Sequence, residues 1–306
     1  MPSEYDEVLM EAAASMKPLS TSVLDLIAAV GRSQTELRDV AQILQQDPTL
    51  LAHVLREANS VAVGGGGRIS DPLEAVVRLG TARVVSIAVM SSMADPLALP
   101  VEPYGLGPGE LGVHAALTSR TAVLLRDVLG DVVPAEASTA CVLHDIGKLV
   151  IASSLRDADA ALFRRIEELD VDMAELEREV LGMEHGEVGR AVLANWNLPP
   201  DISAAVQFHH RPWDGGGTMA HVVALCNGLV HWIADRDQPL RPEAQTGAEK
   251  IGLTSDRLHL VAGRIVPASD EAQEGRDLVS RDEVRSARSN DVPGRRHDPR
   301  GSGRRR

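Results

Sequence analysis

Aromatic residues are scarce in this sequence. The 306 residues include 3 Trp, 2 Tyr and 2 Phe, which is 2% of the chain. Proteins that bind single-stranded nucleic acid stack the bases on aromatic side chains, so this scarcity argues against such a function. The core must be built from Leu, Val, Ile, Ala and Met, and this is feasible because hydrophobic residues make up 44% of the sequence.

Cysteine is nearly absent as well. Cys141 and Cys226 are the two cysteines, and both lie in apolar segments, where a buried reduced thiol is the ordinary state. They offer no disulfide framework, and the N-terminal residues MPSEYDEV lack the basic start and apolar core of a secretion signal. No apolar run approaches the length of a membrane span. We therefore expect a cytoplasmic protein.

The chain also lacks an excess of positive charge. Its net charge of −13 argues against a function that depends mainly on wrapping DNA or on binding an anionic membrane. The exception is the segment 295–306, whose six Arg and one Asp carry +5 and leave −18 for the other residues. This segment is either solvated and idle or a non-specific contact for a polyanion, and its sequence leaves both open.

Strand-like alternation is missing, whereas apolar residues recur at helical spacing throughout, so we predict an all-α fold. We expect an N-terminal extension at 1–17, a smaller helical subdomain at 18–100, a larger helical bundle at 101–265 and a disordered, charged tail at 266–306. The first helix is predicted at Thr21–Val30, and the pairs Asp47-Pro48 and Asp71-Pro72 predict later helix starts. The four glycines at 64–67 indicate a connector, since no Gly-Lys-Ser/Thr follows them.

His144 and Asp145, followed by Lys148, lie inside an apolar stretch that we predict to be helical. Burial of an imidazole and a carboxylate costs several kcal/mol of folding free energy unless both find partners. A divalent cation accepts nitrogen and oxygen ligands together and is one such partner. The alternative is a hydrogen-bonded buried histidine beside a capping aspartate.

Four further histidines each lie on a predicted helix of their own or at a helix end, namely His114, His185, His209 and His210. A bundle that gathers them around His144 and Asp145 has enough ligands for one octahedral metal ion, or for two that share Asp145. A carboxylate-bridged metal pair is typical of phosphate ester hydrolysis, and Lys148 would then contact the phosphate.

The histidines also have explanations without a metal. A positive charge is favourable at a helix C-terminus, and this alone explains the presence of one imidazole of the 209–210 pair. We predict ordinary helical histidines at His53, His221, His231 and His259.

The order of these residues, H…HD…K…H…HH, resembles the HD superfamily of metal-dependent phosphohydrolases. The segments QDPTLLAHVLREANS, RISDPLEAVVRLG, LHDIGKLVIA and EHGEVGRAVLANWNLPPDISAAVQFHH are similar to the HDOD domain, a bacterial signalling module related to HD-GYP phosphodiesterases. The resemblance covers residues 18 to 235 and implies an HD-type helical bundle.

HDOD domains have often lost the metal ligands, so the resemblance alone implies a regulatory or scaffolding role. This chain instead matches the positions that hold metal or face the substrate in HD-GYP relatives, at His114, His144, Asp145, Lys148, His185, His209 and His210. It departs from them in HHRPWDGGG, which lacks the Gly-Tyr-Pro, and at Asn227, which replaces the terminal Asp by a poorer ligand. His231, one turn further on, is an alternative ligand.

Two functions follow from this resemblance. We favour a signal-transduction protein that acts on protein partners in trans, with a largely retained metal site and a nucleotide or cyclic dinucleotide as its candidate ligand. The alternative is a metal-dependent phosphohydrolase or phosphodiesterase acting on such a nucleotide. It would use Asp145 and Lys148 in catalysis, Arg211 as a further phosphate contact, and one or two ions of Fe, Mn or a similar divalent metal. The sequence leaves open whether the chain is an enzyme.

Overall fold

A computed structural model describes residues 5–32, 35–60, 67–155, 159–160, 163 and 172–265. All of them belong to one packed unit. Within these ranges the regular structure is helical, and the one β-type pairing is an isolated antiparallel bridge between Val101 and Leu106. The predicted all-α class is therefore confirmed. The predicted tail at 266–306 and glycines 64 to 66 lie outside the described residues.

The first part of the chain contains seven helices among the described residues. They are α1 (Asp6–Ser15), α2 (Thr21–Val30), α3 (Leu37–Gln45), α4 (Pro48–Ala58), α5 (Pro72–Leu79), α6 (Thr81–Ser92) and α7 (Ala94–Ala98). A 3₁₀ turn at Glu102–Tyr104 leads to the second part.

The second part contains the helices that carry the candidate site. They are α8 (Glu110–Leu129), α9 (Ala137–Leu143), α10 (Ile146–Ser154), α11 (Met173–Leu181), α12 (His185–Asn195), α13 (Pro200–Phe208), α14 (Gly217–Ala234) and α15 (Pro242–Lys250). Residues 255–265 form a further helix.

Two helices begin as predicted. The carboxylates of Asp47 and Asp71 accept hydrogen bonds from the backbone N–H of Leu50 and Glu74, and a proline follows each aspartate. These contacts satisfy amides that have no partner within the helix. Helix α2 spans the predicted residues and ends at Gly31.

The prediction that the first helix begins at Thr21 is wrong, because α1 precedes it. Leu9 and Ala13 of α1 are fully buried, and the helix packs against α10 and α12. Its polar face carries Asp6, Glu7 and Glu11. The segment is thus an ordinary amphipathic helix and an integral part of the core.

Helix α14 forms the centre of the second part and packs against α8, α9, α13 and α15. By length and composition this helix could cross a membrane. The expectation that no apolar run approaches the length of a membrane span is therefore corrected. However, 67% of the helix is buried inside the fold. Its neighbours explain its apolar character, since a helix that is covered on most sides has apolar residues all round.

The helix predicted to run through His144 and Asp145 is interrupted at these two residues. α9 ends at Leu143 and α10 begins at Ile146. Just after the break, a Cβ on Gly147 would lie 2.0 Å from the carbonyl oxygen of His185. The glycine therefore allows α10 to approach the start of α12 at backbone distance, and the break brings Asp145 close to the His185 ring.

Candidate metal centre

Six predicted ligand side chains meet at one point in the second part of the fold. His114 lies in the second turn of α8, and His185 is the first residue of α12. The pair His144-Asp145 lies between α9 and α10, and His209 and His210 directly follow α13. Four of the six are buried, with Asp145 only 4% exposed, and His114 and His210 are half-buried.

The first ligand group consists of His114, His144 and Asp145, whose ligand atoms lie within 4.8 Å of one another. The Nε2 atoms of the two rings are 3.2 Å apart. Oδ2 of Asp145 lies 3.4 Å from Nε2 of His144 and 3.7 Å from Nε2 of His114. One cation can be coordinated by all three side chains.

The second ligand group consists of His185, His209 and His210, again with ligand atoms within 4.8 Å of one another. Nε2 of His185 lies 3.3 Å from Nε2 of His209 and 3.1 Å from Nε2 of His210. Oδ1 of Asp145 is 3.2 Å from Nε2 of His185 and 4.0 Å from Nε2 of His209. Asp145 thus points one oxygen at each group.

Hydrogen bonds on the far side of three rings fix which nitrogen faces the centre. Nδ1–H of His144 donates to the Cys141 carbonyl at 2.8 Å, and Nδ1–H of His209 donates to the Val206 carbonyl at 2.7 Å. Nδ1–H of His185 donates to the Glu177 carboxylate at 2.7 Å. With Nδ1 occupied, each ring can offer the lone pair of Nε2 to a metal ion.

The environment keeps most of these rings uncharged. Burial lowers the pKa of four imidazoles, those of His114, His144, His209 and His210. Burial would lower the pKa of His185 as well, but the Glu177 carboxylate overrides it and raises that pKa to about 9. Neutral imidazole is the form that binds metal, so His185 would release its Nε2 proton when a cation binds.

Asp145 is ionised in this setting. Burial alone would raise its pKa, but His144, Lys148 and His185 around the carboxylate hold the pKa well below its usual range. Nζ of Lys148 lies 2.8 Å from Oδ2. Oδ1 is buried and faces Nε2 of His185 at 3.2 Å.

These residues fit divalent metal binding. A buried carboxylate is costly unless donors or cations meet it, and Oδ1 faces only metal-ligand-type ring nitrogens, Nε2 of His185 at 3.2 Å and Nε2 of His209 at 4.0 Å, among the ion-pair distances of the described residues. The donor set of five imidazoles and one bridging carboxylate suits Fe, Mn, Zn or a similar ion. Each of the two groups of three side chains would hold one ion, with Asp145 between them.

Glu177 supports the centre and was not predicted from the sequence. Its side chain is fully buried and accepts hydrogen bonds from the backbone and ring of His185 and from the Tyr104 hydroxyl, the last at 2.7 Å. A carboxylate behind a ligating histidine raises the basicity of the ring. The available signal was the position of Glu177 between Leu176 and Leu181 on the apolar side of an otherwise charged helix.

A second buried carboxylate, Glu184, precedes His185. Arg178 and Arg211 both pair with it, the latter at 3.2 Å, and Arg211 also contacts Asp214 at 3.2 Å. The guanidinium predicted as a further phosphate contact is therefore engaged with two acids. Its role in this structure is to neutralise Glu184 at the start of α12.

Asn227 and His231 lie one turn apart on α14. Asn227 is 5% exposed, and its Oδ1 accepts no hydrogen bond from the described residues. The ring of His231 lies 5.0 Å from the ring of His114, so His231 lies beside the first ligand group and not on a remote helix face.

The other three histidines, His53, His221 and His259, are outside the two ligand groups. Each of them makes a hydrogen bond within its own helix.

The model of the HDOD domain family matches residues 16–212, about two thirds of the chain. The match confirms the resemblance inferred from the separate sequence segments. A protein of Treponema pallidum (strain Nichols) without an assigned function is 24% identical over 205 residues, which cover 63% of this chain and 37% of the relative. The chain thus spans little more than a third of the length of the curated relative it matches.

Three solved structures share the fold. An HDOD domain protein of unknown function from Geobacter sulfurreducens matches with a TM-score of 0.64 and 18% identity, covering 87% of this chain and 96% of that one. A provisionally named signal transduction protein from Marinobacter aquaeolei VT8 matches with a TM-score of 0.70 and 21% identity, covering 87% of this chain and 60% of that one. A provisionally named phosphohydrolase from Shewanella amazonensis SB2B matches with a TM-score of 0.56 and 24% identity, covering 85% of this chain and 93% of that one. At these identities the likeness shows the fold alone.

Proposed function

Because the chain belongs to the HDOD domain family, we propose that it is a signal-transduction protein whose HD-type centre binds two divalent metal ions and, through them, a phosphate-bearing nucleotide. The observation that carries this proposal is the position of Asp145, whose two oxygens face two separate groups of histidines. A fold that used these helices only as a scaffold would have no need of six converging ligand side chains.

The charge balance of the centre favours an anionic ligand. Two divalent ions would bring four positive charges, and Lys148 adds a fifth. Asp145 and Glu177 supply two negative charges, since Asn227 is neutral and Glu184 is paired with two arginines. A buried excess of positive charge requires a counter-charge. A phosphate group of a nucleotide or cyclic dinucleotide would supply it.

We place the protein in the cytoplasm and expect its output to be contact with signalling proteins in trans. Binding of the metals and the anion would connect α8, the α9–α10 junction, α12 and the end of α13 at a single point. A ligand that connects several elements shifts the protein toward the arrangement in which these elements fit it best. The surface of these helices would then differ between the free and the bound protein.

Metal stoichiometry tests the centre directly. The protein is purified without chelator, loaded with Mn²⁺, desalted and analysed by mass spectrometry of the metal. We expect about two ions per chain in the wild type and about one in either His144→Gln or His210→Gln, because each variant removes a ligand from a different group. His259→Gln is the matched control and should retain two.

A wild-type protein that retains no Mn²⁺ would contradict the proposal. A single ion that is lost equally in both half-site variants would contradict the division into two groups. Loss of metal in His259→Gln as well would show that the variants act through the fold.

A second candidate function is phosphodiester hydrolysis at the same centre, and the pairing of Lys148 with the bridging Asp145 favours it. When bound, a metal pair supplies a water of lowered pKa and neutralises phosphate oxygens. Lys148 already holds its ammonium at the bridging carboxylate and 5.7 Å from the Tyr104 ring centre, from where it can bind a phosphate oxygen.

Turnover separates the two candidates. The Mn²⁺-loaded protein is incubated with bis(p-nitrophenyl) phosphate and with cyclic dinucleotides, beside Asp145→Asn. Hydrolysis that disappears in the variant would assign an enzyme. Binding of a cyclic dinucleotide without hydrolysis would assign a sensor, and absence of both would leave the nucleotide part of the proposal without support.

A further inference from the structure

A cleft of about 460 Å³ lies between α4, α6 and α8. None of the candidate metal ligands lines it. Its volume is within the range of about 300–1,000 Å³ that is typical of sites for small molecules. No local sequence pattern indicates this cleft, because its walls come from three helices that are distant along the chain.

Part of the lining of the cleft is apolar. Ile87 and Met90 of α6 and Val123 and Leu124 of α8 line it, and all four are partly buried. Their aliphatic side chains offer a contact surface for the body of a ligand. Burial of such a body is favourable because it removes apolar area from water.

Three arginines also line the cleft, and two of them already have partners. Arg83 pairs with Glu57, and Nη2 of Arg56 donates to Nδ1 of His53 at 2.7 Å. Arg120 is different, because it is partly buried and makes no hydrogen bond or ion pair with any described residue. A guanidinium that is partly removed from water has five donors to satisfy, and it faces the cleft.

We propose that this cleft is a second ligand site, which binds a small organic anion with one negative charge and an apolar body. The anionic group pairs with Arg120, and the body packs on Ile87, Met90, Val123 and Leu124. A polyphosphate does not suit the site, because Glu57 and Asp127 line it beside the three arginines and leave a net charge of only +1. This proposal is independent of metal binding at the centre.

The probe is 8-anilinonaphthalene-1-sulfonate, which has one sulfonate and an apolar body, titrated into the full chain while its fluorescence is followed. We expect one saturable site per chain. Arg120→Met keeps the aliphatic part of the side chain and removes the charge, and it should weaken binding about tenfold, in the range measured for hydrogen bonds to charged groups. Arg190→Met is the matched control on α12, because Arg190 is exposed and bonds to Gln207, and its affinity should equal the wild type's.

Two further measurements test the charge contact and the apolar contact separately. N-phenyl-1-naphthylamine has a similar body without the sulfonate, and its affinity should be the same in wild type and Arg120→Met. Val123→Asp places a carboxylate in the apolar wall and should abolish sulfonate binding, while circular dichroism confirms that the variant is folded. Equal sulfonate affinities in wild type and Arg120→Met would overturn the proposal, and so would binding that never saturates.

Discussion

The carboxylate of Glu177 accepts a hydrogen bond from the backbone N–H of His185 at 2.6 Å and one from its ring Nδ1–H at 2.7 Å. Both side chains are fully buried. The two bonds fix the position of the histidine at the start of α12 and the orientation of its ring. Nε2 is thereby directed at Asp145 before any metal binds.

Replacement of Glu177 by Gln should therefore weaken metal binding. The amide cannot stabilise positive charge on the ring, and loss of such a partner typically lowers metal affinity about 10- to 100-fold. Isothermal titration with Mn²⁺ measures the effect. Glu179→Gln, an exposed position on the same helix, is the control, and equal affinities in both variants would contradict the role given to Glu177.

Replacement of Asn227 by Asp should have opposite effects with and without metal. In the presence of a chelator the new carboxylate would be buried without a partner, so the melting temperature should fall. With Mn²⁺ the carboxylate becomes a ligand, and we expect an affinity about tenfold or more above the wild type's. Asn195→Asp, at an exposed position on α12, should show neither change. If Mn²⁺ does not raise the melting temperature of Asn227→Asp more than that of the wild type, Asn227 does not face the metals.

Gly147 should not tolerate a side chain. A Cβ at this position would lie 2.0 Å from the carbonyl oxygen of His185 and 2.9 Å from the backbone N of Gly189. Backbone cannot yield as a flexible side chain does, so Gly147→Ala should lower the free energy of unfolding by roughly 3 kcal/mol or more.

Thermal unfolding compares this variant with Gly263→Ala. Gly263 is exposed and helical, and a Cβ there meets no atom within 4 Å. That substitution should stabilise the fold by roughly 0.5–1 kcal/mol. A Gly147→Ala protein as stable as the wild type would refute the close approach of α10 and α12.

Leu9 tests whether α1 belongs to the core. It is fully buried, whereas the neighbouring Val8 is 47% exposed. Leu9→Ala should destabilise the protein by about 2–5 kcal/mol, and Val8→Ala should stay within about 0.5 kcal/mol of the wild type. Urea denaturation gives both values. Equal effects of the two substitutions would mean that α1 does not pack as described.

Much of the fold could be predicted from local sequence signals. The carboxylates of Asp47 and Asp71 and the glycine at position 31 define helix ends through contacts within a few residues. Helix α1 was missed because its buried residues are few and its partners α10 and α12 lie more than 100 residues away. A short amphipathic segment is recognised only when the surface that covers it is known.

The candidate site was predicted by residue type and order, and the metal role of its ligands stays a prediction. What the sequence could not supply was the helix break at His144 and Asp145, since the apolar spacing runs on without a Pro or Gly until Gly147. The break lies beside the close approach of α10 and α12, which is a tertiary contact. Glu177 was likewise hidden, because its burial follows from the packing of α11 around His185.

The ligands of the centre are spread over the chain from His114 to His210, and no three of them are close in sequence. An unfolded chain offers only the adjacent pairs His144-Asp145 and His209-His210, and a pair is a weak chelate. Metal capture should therefore come late, after α8, α10, α12 and α13 have docked. The ions would then stabilise a tertiary structure that has already assembled, and they would not nucleate its folding.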